Sequence, residues 1–339
     1  MCVLLVDGLG ATALAAHPEA APFLSSLPAA TLTAGFPSTT ATSLTSLGAG
    51  ATPGETGIVG HMLRLPGQDR LFNTLRWRLH GDGHGDPLAE FPPERIQPRR
   101  TVFERATDAG ITAVQIGPGY QDGSGLSRAS FRGGGFRTSF GVGDLVAGAT
   151  DALRGADRAL VYAYHPDLDT TGHARGPASD AWLYELAHTD RIAADIAERL
   201  PAGAALIVTA DHGMIELSDR IDFDTHPELQ EGVAVLGGEP RARHVYVTPG
   251  AAGDVRDTWT ATLGPGFSVL SREEAVRAGW FGPRVSDECA SRIGDLVVVA
   301  RETVGVVRSA AEPIQALMIG HHGSLTEDEL TVPLRVYRS

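Results

Sequence analysis

Four short apolar runs fix what this chain can fold into: CVLLV at 2–6, TAVQIG at 112–117, ALVYAY at 159–164 and AALIVT at 204–209. Each is rich in β-branched residues and apolar along its length instead of alternating, the pattern of a strand covered on both faces. Helical patterns lie between them. The clearest begins near Pro177 and ends before Pro201, with Trp182, Leu183, Leu186, Ile192, Ile196 and Leu200 recurring on one face. Such alternation predicts an α/β fold, a mostly parallel central sheet flanked by helices.

The chain of 339 residues is long enough for one large core with a smaller addition. The stretch 213–310 reads differently from the rest, with HVYVTP at 244–249, a Gly/Pro-rich turn region, a short helix near 271–278 and DLVVVA at 295–300. The expected division is a core of 1–212 and 311–339 carrying a smaller α+β insertion or cap at 213–310. The segment from Gly81 to Pro98, rich in Gly, Pro and charge, predicts a surface loop.

Net charge is -13 at pH 7, and with no Lys in the sequence every strong base is Arg. That balance argues against a nucleic-acid-binding surface. An acidic chain that handles anions needs a local positive centre, and bound divalent cations supply one. Cys2 and Cys289 stand at opposite ends and imply neither a disulfide framework nor a thiolate zinc site. MCVLLVDGLG lacks the basic and long apolar regions of a signal peptide, and no later run is long enough to span a membrane. The expectation is a cytoplasmic chain.

Three of the predicted strands lead at once to an acidic residue: VLLV to Asp7, VYAYHPDL to Asp169, and LIVT through Ala210 to Asp211. Carboxyl ends of parallel strands share one sheet edge, so these carboxylates can converge from distant parts of the chain. Converged carboxylates repel unless a cation lies between them. Histidines accompany two of them, as Asp169-Thr-Thr-Gly-His173 and Asp211-His212, and a further pair is His321-His322. Carboxylate oxygen with imidazole nitrogen suits zinc or a similar first-row metal. Asp169 and His173, four apart, can face one ion from a single helical turn, whereas Asp167 cannot share that spacing.

FPSTTATSLTSLGAG at 36–50 reads as a loop entering a helix, with Ser38 or Thr39 near the N-cap. A hydroxyl there stands where backbone N–H groups and the helix dipole favour a phosphate oxygen. A metal bound to it would make it a nucleophile near neutral pH.

The ordered set VDGLG, FPSTTATSLTSLGAG, PDLDTTGHARGP, TADHGM and GHHG resembles the alkaline phosphatase superfamily, specifically its nucleotide pyrophosphatase/phosphodiesterase branch, across positions 6 to 323. The resemblance implies a catalytic core with two divalent ions, zinc first and manganese or iron as alternatives. Asp7, Thr40, Asp211 and His212 match the ligands of one ion, and Asp169, His173 and His322 those of the second. Thr40 matches the nucleophile, which would form a phosphothreonine, and Asn73, in LFNTLRW, an Asn that hydrogen-bonds phosphate. The family's G-x-HG pattern selects His322 over His321. Asp222, Asp224 and His226 match no motif and read as a polar loop. His17, His61, His80 and His84 read as structural or exposed, with His61 best placed to line the pocket.

The implied substrate is a small phosphate ester or nucleotide-like molecule. A monoester dianion calls for an Arg clamp or a further metal, and neither stands beside Thr40, which favours diesters. Phosphonoacetate hydrolase is similar, so phosphonate hydrolysis or a phosphomonoesterase of the same superfamily is the alternative, with a metal-binding protein lacking turnover behind both. The sulfatase signature Cys/Ser-x-Pro-x-Arg is missing around the nucleophile.

Overall fold

The computed structural model of the chain describes residues 1–81 and 85–339, so the expectation for His84 lies outside the described residues. Eleven strands matter here: β1 (Cys2–Val6), β2 (Ala30–Thr33), β3 (Thr112–Pro118), β4 (Gly135–Ser139), β5 (Ala159–His165), β6 (Ala205–Thr209), β7 (Val233–Glu239), β8 (Ala242–Val247), β9 (Phe267–Ser271), β10 (Leu296–Ala300) and β11 (Thr331–Arg338). Seven form the central sheet in the order β2-β11-β6-β1-β5-β3-β4. The five from β6 to β4 are parallel, while β11 pairs antiparallel with both β6 and β2.

Successive residues of β1 point to opposite faces and are buried on both. Cys2, Leu4 and Val6 join one apolar cluster with Trp182, Leu186 and Ile196, and Leu5 joins a second with Tyr162, Phe36 and Leu44. This two-sided burial is why the run carries no polar residue. The long helix is Asp180–Glu198, entered three residues after Pro177 because the Ser179 side chain accepts the Trp182 N–H and caps it.

A second sheet, β7-β8-β10-β9, is antiparallel throughout. Leu296, Val298 and Ala300 of β10 pack with Trp259 and Phe267, whereas Val297 and Val299 pack into the cluster holding Leu5 and Phe36. The sheet is thereby clamped between its own helix, Ala252–Leu263, and the body of the molecule.

The stretch predicted as a surface loop is more ordered than that. Pro87–Glu90 and Pro93–Ile96 are short helices, Phe91 and Pro93 are buried, and the fully buried Gln97 donates to the Ala129 carbonyl at 2.7 Å. Gly and Pro density marked turns here, and apolar residues between the turns supplied the packing. No helix among the described residues is long and apolar enough to cross a membrane.

Candidate metal centre

In register, Val6 of β1 stands opposite His165 of β5, and Leu5 opposite Thr209 of β6. The three strand ends therefore release Asp7, the Asp169 helix and Asp211 at one level of one edge. Gly8 makes the close approach possible: its φ is +75°, and a Cβ there would lie 3.0 Å from the Asp169 Cα. The Gly8 N–H donates to Asp211 Oδ1 at 3.2 Å, and the His212 N–H to the same oxygen at 3.1 Å.

Thr39 is the N-cap residue of the helix Thr40–Ala49, but its side chain makes no capping hydrogen bond to the first amides. Thr40 is the first helical residue, and its Oγ1 lies 3.2 Å from His212 Nε2. The loop before it is joined to the loop of His322: Ser38 N–H donates to the Gly323 carbonyl at 3.2 Å, and Gly323 N–H returns to Ser38 Oγ at 3.1 Å.

Three imidazoles are oriented alike. His173 Nδ1 is 2.7 Å from the Gly320 carbonyl, His212 Nδ1 3.0 Å from that of Gly213, and His322 Nδ1 2.8 Å from that of Ser38. A carbonyl can only accept, so Nδ1 carries a hydrogen, and in the neutral ring Nε2 is a bare lone pair. Those lone pairs face carboxylates. His212 Nε2 is 3.4 Å from Asp7 Oδ1 and 3.5 Å from Asp211 Oδ2, His173 Nε2 is 3.4 Å from Asp169 Oδ2, and His322 Nε2 is 3.9 Å from Asp169 Oδ1. The rings of His212 and His322 stack at 3.6 Å.

Asp7 Oδ1, Asp169 Oδ1 and Asp211 Oδ2 are buried without a hydrogen-bond donor. Acceptor facing acceptor in a dry site is unfavourable, and a cation between them satisfies both sides. Two sets of potential ligand atoms fall within 4.8 Å of one another, Asp7 with Asp211 and His212, and Asp169 with His212 and His322. His173 stands beside the second set through Asp169, and Thr40 beside the first through His212. Burial, then the charges of Asp211 and Asp169, hold the Asp7 carboxyl well above its usual range. Burial, then Asp169, pushes Asp211 up to about 7, while burial and the neighbouring His212 and His173 push His322 well down. Two carboxyls, Asp7 and Asp211, that resist ionising beside an imidazole, His322, that resists protonation are the electrostatic complement of a divalent ion.

The competing residues make other contacts, although His321 also lines the smaller of the two cavities at the site. Asp167 is exposed on the far side of its helix turn, in a group with His165 and Glu185. His321 Nε2 lies 3.2 Å from the Met318 carbonyl. Asp222 and Asp224 accept backbone N–H groups of Ser309, Ala310 and Ala311, and His226 turns back on the Asp222 carbonyl. His17 rests edge-on against Trp182, and the His80 carbonyl accepts from Arg70.

Two cavities open on Thr40. One of about 270 Å³ is lined by Asp7, Thr40, Tyr120, Ser127, Tyr164 and Asp169 among others, and one of about 230 Å³ by Thr40, His61, Asp169, His173, Gln315 and His322 among others. No Arg lines either cavity among the described residues. Asn73 lines neither; its Oδ1 accepts the Arg76 N–H at 2.8 Å and its Nδ2 is 3.1 Å from His61 Nε2, so His61 stands between it and the cavity.

Two residues at the site had not been singled out. The Tyr164 hydroxyl donates to Asp7 Oδ2. Glu239, 4% exposed on the wall of the smaller cavity, has its carboxyl pushed up to about 8 by burial. Tyr164 ends a run already read as a strand, and the pleat puts it on the same face as Tyr162, a legible signal; Glu239 carries none.

The profile of the type I phosphodiesterase / nucleotide pyrophosphatase family matches residues 1–325. Phosphopentomutases of Anaeromyxobacter dehalogenans and of Anaeromyxobacter sp. strain K are 30% and 34% identical over 159 residues, 45% of this chain. That stretch spans 39% of their length, so the likeness is partial. Among solved structures, murine ectonucleotide pyrophosphatase / phosphodiesterase 5 superposes with a TM-score of 0.77 at 18% identity, covering 100% of this chain and 88% of the other. Phosphonoacetate hydrolase from Sinorhizobium meliloti, in complex with phosphonoformate, gives 0.72 at 20% identity, covering 99% and 89%. At such identities the likeness is one of fold.

Proposed function

Because the chain belongs to the type I phosphodiesterase / nucleotide pyrophosphatase family, we propose that it hydrolyses phosphate diesters, nucleotide-like ones included, with Thr40 as nucleophile. The observation that carries this is the position of Thr40 Oγ1, 3.2 Å from His212 Nε2 at the start of a helix and beside three buried carboxylate oxygens that lack a donor.

Asp7, Thr40, Asp211 and His212 would hold one divalent ion, and Asp169, His173 and His322 the other. When bound, the ions neutralise charge on the phosphate oxygens and lower the pKa of the Thr40 hydroxyl. Zinc suits this mixed oxygen and nitrogen set, with manganese or iron as alternatives. The Thr40 oxygen attacks phosphorus in line, the bond to the leaving alkoxide breaks, and water cleaves the resulting phosphothreonine to restore the hydroxyl. The uncapped amides at the start of the Thr40–Ala49 helix orient a non-reacting phosphate oxygen. Asn73 acts from behind His61.

The absence of Arg from both cavity walls, in a chain without Lys, supports a substrate that brings a single negative charge to the site. A monoester dianion, or the extra carboxylate of a phosphonoacetate-type substrate, would meet no side-chain cation there. The murine fold neighbour has also been solved as an inactive threonine-to-alanine variant in complex with AMP, which agrees with a nucleotide-sized ester and a threonine nucleophile. We assign selectivity to the insertion 213–310 and to the loops between 61 and 98.

The test is turnover of an aryl phosphodiester and the matching monoester by the zinc- or manganese-loaded protein. The diester is expected to have the higher kcat/KM, and Thr40→Ala to lose at least about a thousandfold in kcat. Strong preference for the monoester, or full activity in Thr40→Ala, overturns the assignment.

A further inference from the structure

A polar chain on the wall of the smaller cavity is not accounted for by this reading. Because the Arg76 N–H donates to Asn73 Oδ1, the Asn73 amino group is the end that faces His61 Nε2, at 3.1 Å. Nε2 therefore accepts. Burial pushes His61 down to about 4 and keeps it neutral, so its single hydrogen sits on Nδ1. That N–H points at the Gln315 carboxamide, whose Nε2 stands 3.1 Å away; donor would then face donor, so we assign the carboxamide the reverse orientation, with its oxygen toward His61. The bonds run in one direction: Arg76 to Asn73, Asn73 to His61, His61 to Gln315.

The Gln315 amino group is then left over. In that orientation it takes the position of Oε1, which is buried and has no hydrogen-bond partner among the described residues. A buried N–H pair without an acceptor is unfavourable until a ligand supplies one. Gln315 shares its cavity with Thr40, Asp169, His173 and His322. Its short helix, Pro313–Leu317, is secured upstream where Asp222 accepts the Ser309 N–H at 3.0 Å and Asp224 the Ala310 N–H at 2.8 Å.

We propose that Gln315 is a substrate-binding residue of this site, its amino group donating to an oxygen of the bound ester on the His173 and His322 side, with His61 as the positioning residue that sets its orientation. The inference rests on the diester reading, because an anionic diester offers acceptors and no donors. It also gives the Asn73 carboxamide a use at one remove, as the group that fixes the His61 tautomer.

Kinetics of the metal-loaded protein on bis(4-nitrophenyl) phosphate test it. Gln315→Ala is expected to lower kcat/KM about ten- to a hundredfold, with Tm and bound metal unchanged. Gln315→Glu should fall further, since it keeps the size, loses the donor and adds a like charge. His61→Ala should lose as much as Gln315→Ala, and the double variant no more than either alone, the mark of two residues acting as one unit. Gln315→Ala within twofold of wild type, Gln315→Glu as active as wild type, or losses that multiply in the double variant overturn the assignment. A fully active Gln315→Ala beside an inactive Thr40→Ala sinks this inference alone, whereas wild type without diester turnover sinks the reading beneath it.

Discussion

The Nε2 lone pairs of His173, His212 and His322 are aimed by main-chain carbonyls, so the donor set is arranged before any ion arrives. Asp7 is aimed differently, by the Tyr164 hydroxyl on Oδ2, which leaves Oδ1 for the ion. Tyr164→Phe keeps the ring and removes that donor. It should weaken metal binding about ten- to a hundredfold, read as the metal concentration giving half-maximal activity, with Tm of the apoprotein little changed. An unchanged metal requirement would show that packing alone positions Asp7. At this scale the ligands were legible in the sequence because short local spacings, Asp169 to His173 and Asp211 to His212, report on one turn of chain. The strand pattern places Tyr164 on a face but does not give its partner 157 positions away, and Glu239 and Gln315 matter through contacts 200 or 254 positions away, or through burial, which no local pattern encodes. Asn73 shows the converse: a motif can name a residue and still not say what stands between it and the cavity.

Elements were legible in proportion to their burial. Four of the five parallel strands carry continuous apolar runs because both their faces are covered, whereas the fifth, β4, is exposed along most of its length and β2 along all of it, so neither offers a run to detect. β11 was missed as well, with Pro333 inside it. What the sheet edge gathers has a thermodynamic consequence. Asp211 at about 7, Asp7 well above its usual range and Glu239 at about 8 all have folded pKa values above their unfolded ones, so they make the apoprotein less stable as pH rises through them. His61, His244, His321 and His322 are depressed and act oppositely, but their contribution is nearly complete once pH exceeds the unfolded value of 6.5. Between pH 6.5 and 8 the three acids outweigh the last of the histidine contribution and that of the Met1 amino group, which burial lowers from 8.0. Thermal melts of metal-free protein should therefore show Tm falling across that window, and zinc or manganese should flatten the part due to Asp7 and Asp211. Glu239→Gln should remove much of the remainder. An apoprotein Tm that is flat or rising from pH 6.5 to 8 contradicts these assignments.

Across the whole molecule, the second sheet is fastened to the central one by more than apolar packing. Arg241, at the turn between β7 and β8, and Glu329, just before β11, form an ion pair that is fully buried on both sides. Nε and Nη2 of Arg241 reach the two carboxylate oxygens at 3.0 and 2.8 Å, while Nη1 donates to the carbonyls of Glu302 and Val304. Glu329 also accepts from the Ser324 N–H at 3.0 Å, two residues beyond His322. The pair thus joins the second sheet, the last strand of the central sheet and the loop of a proposed ligand. Taking two charges out of water offsets most of their attraction, so the pair adds little net stability while intact. Removing one partner is another matter, because the other charge stays buried and alone. Glu329→Gln should cost about 3 to 5 kcal/mol in urea unfolding, and Arg241→Met with Glu329→Leu should recover most of it. If the loss is confined to the second sheet, denaturation followed by tryptophan fluorescence will split into two steps, since Trp259 reports on the second sheet and Trp182 on the central one. A single step shifted as a whole means that the two sheets unfold as one cooperative body. We expect the single step, because β10 gives one face to each core and neither core can open without exposing it.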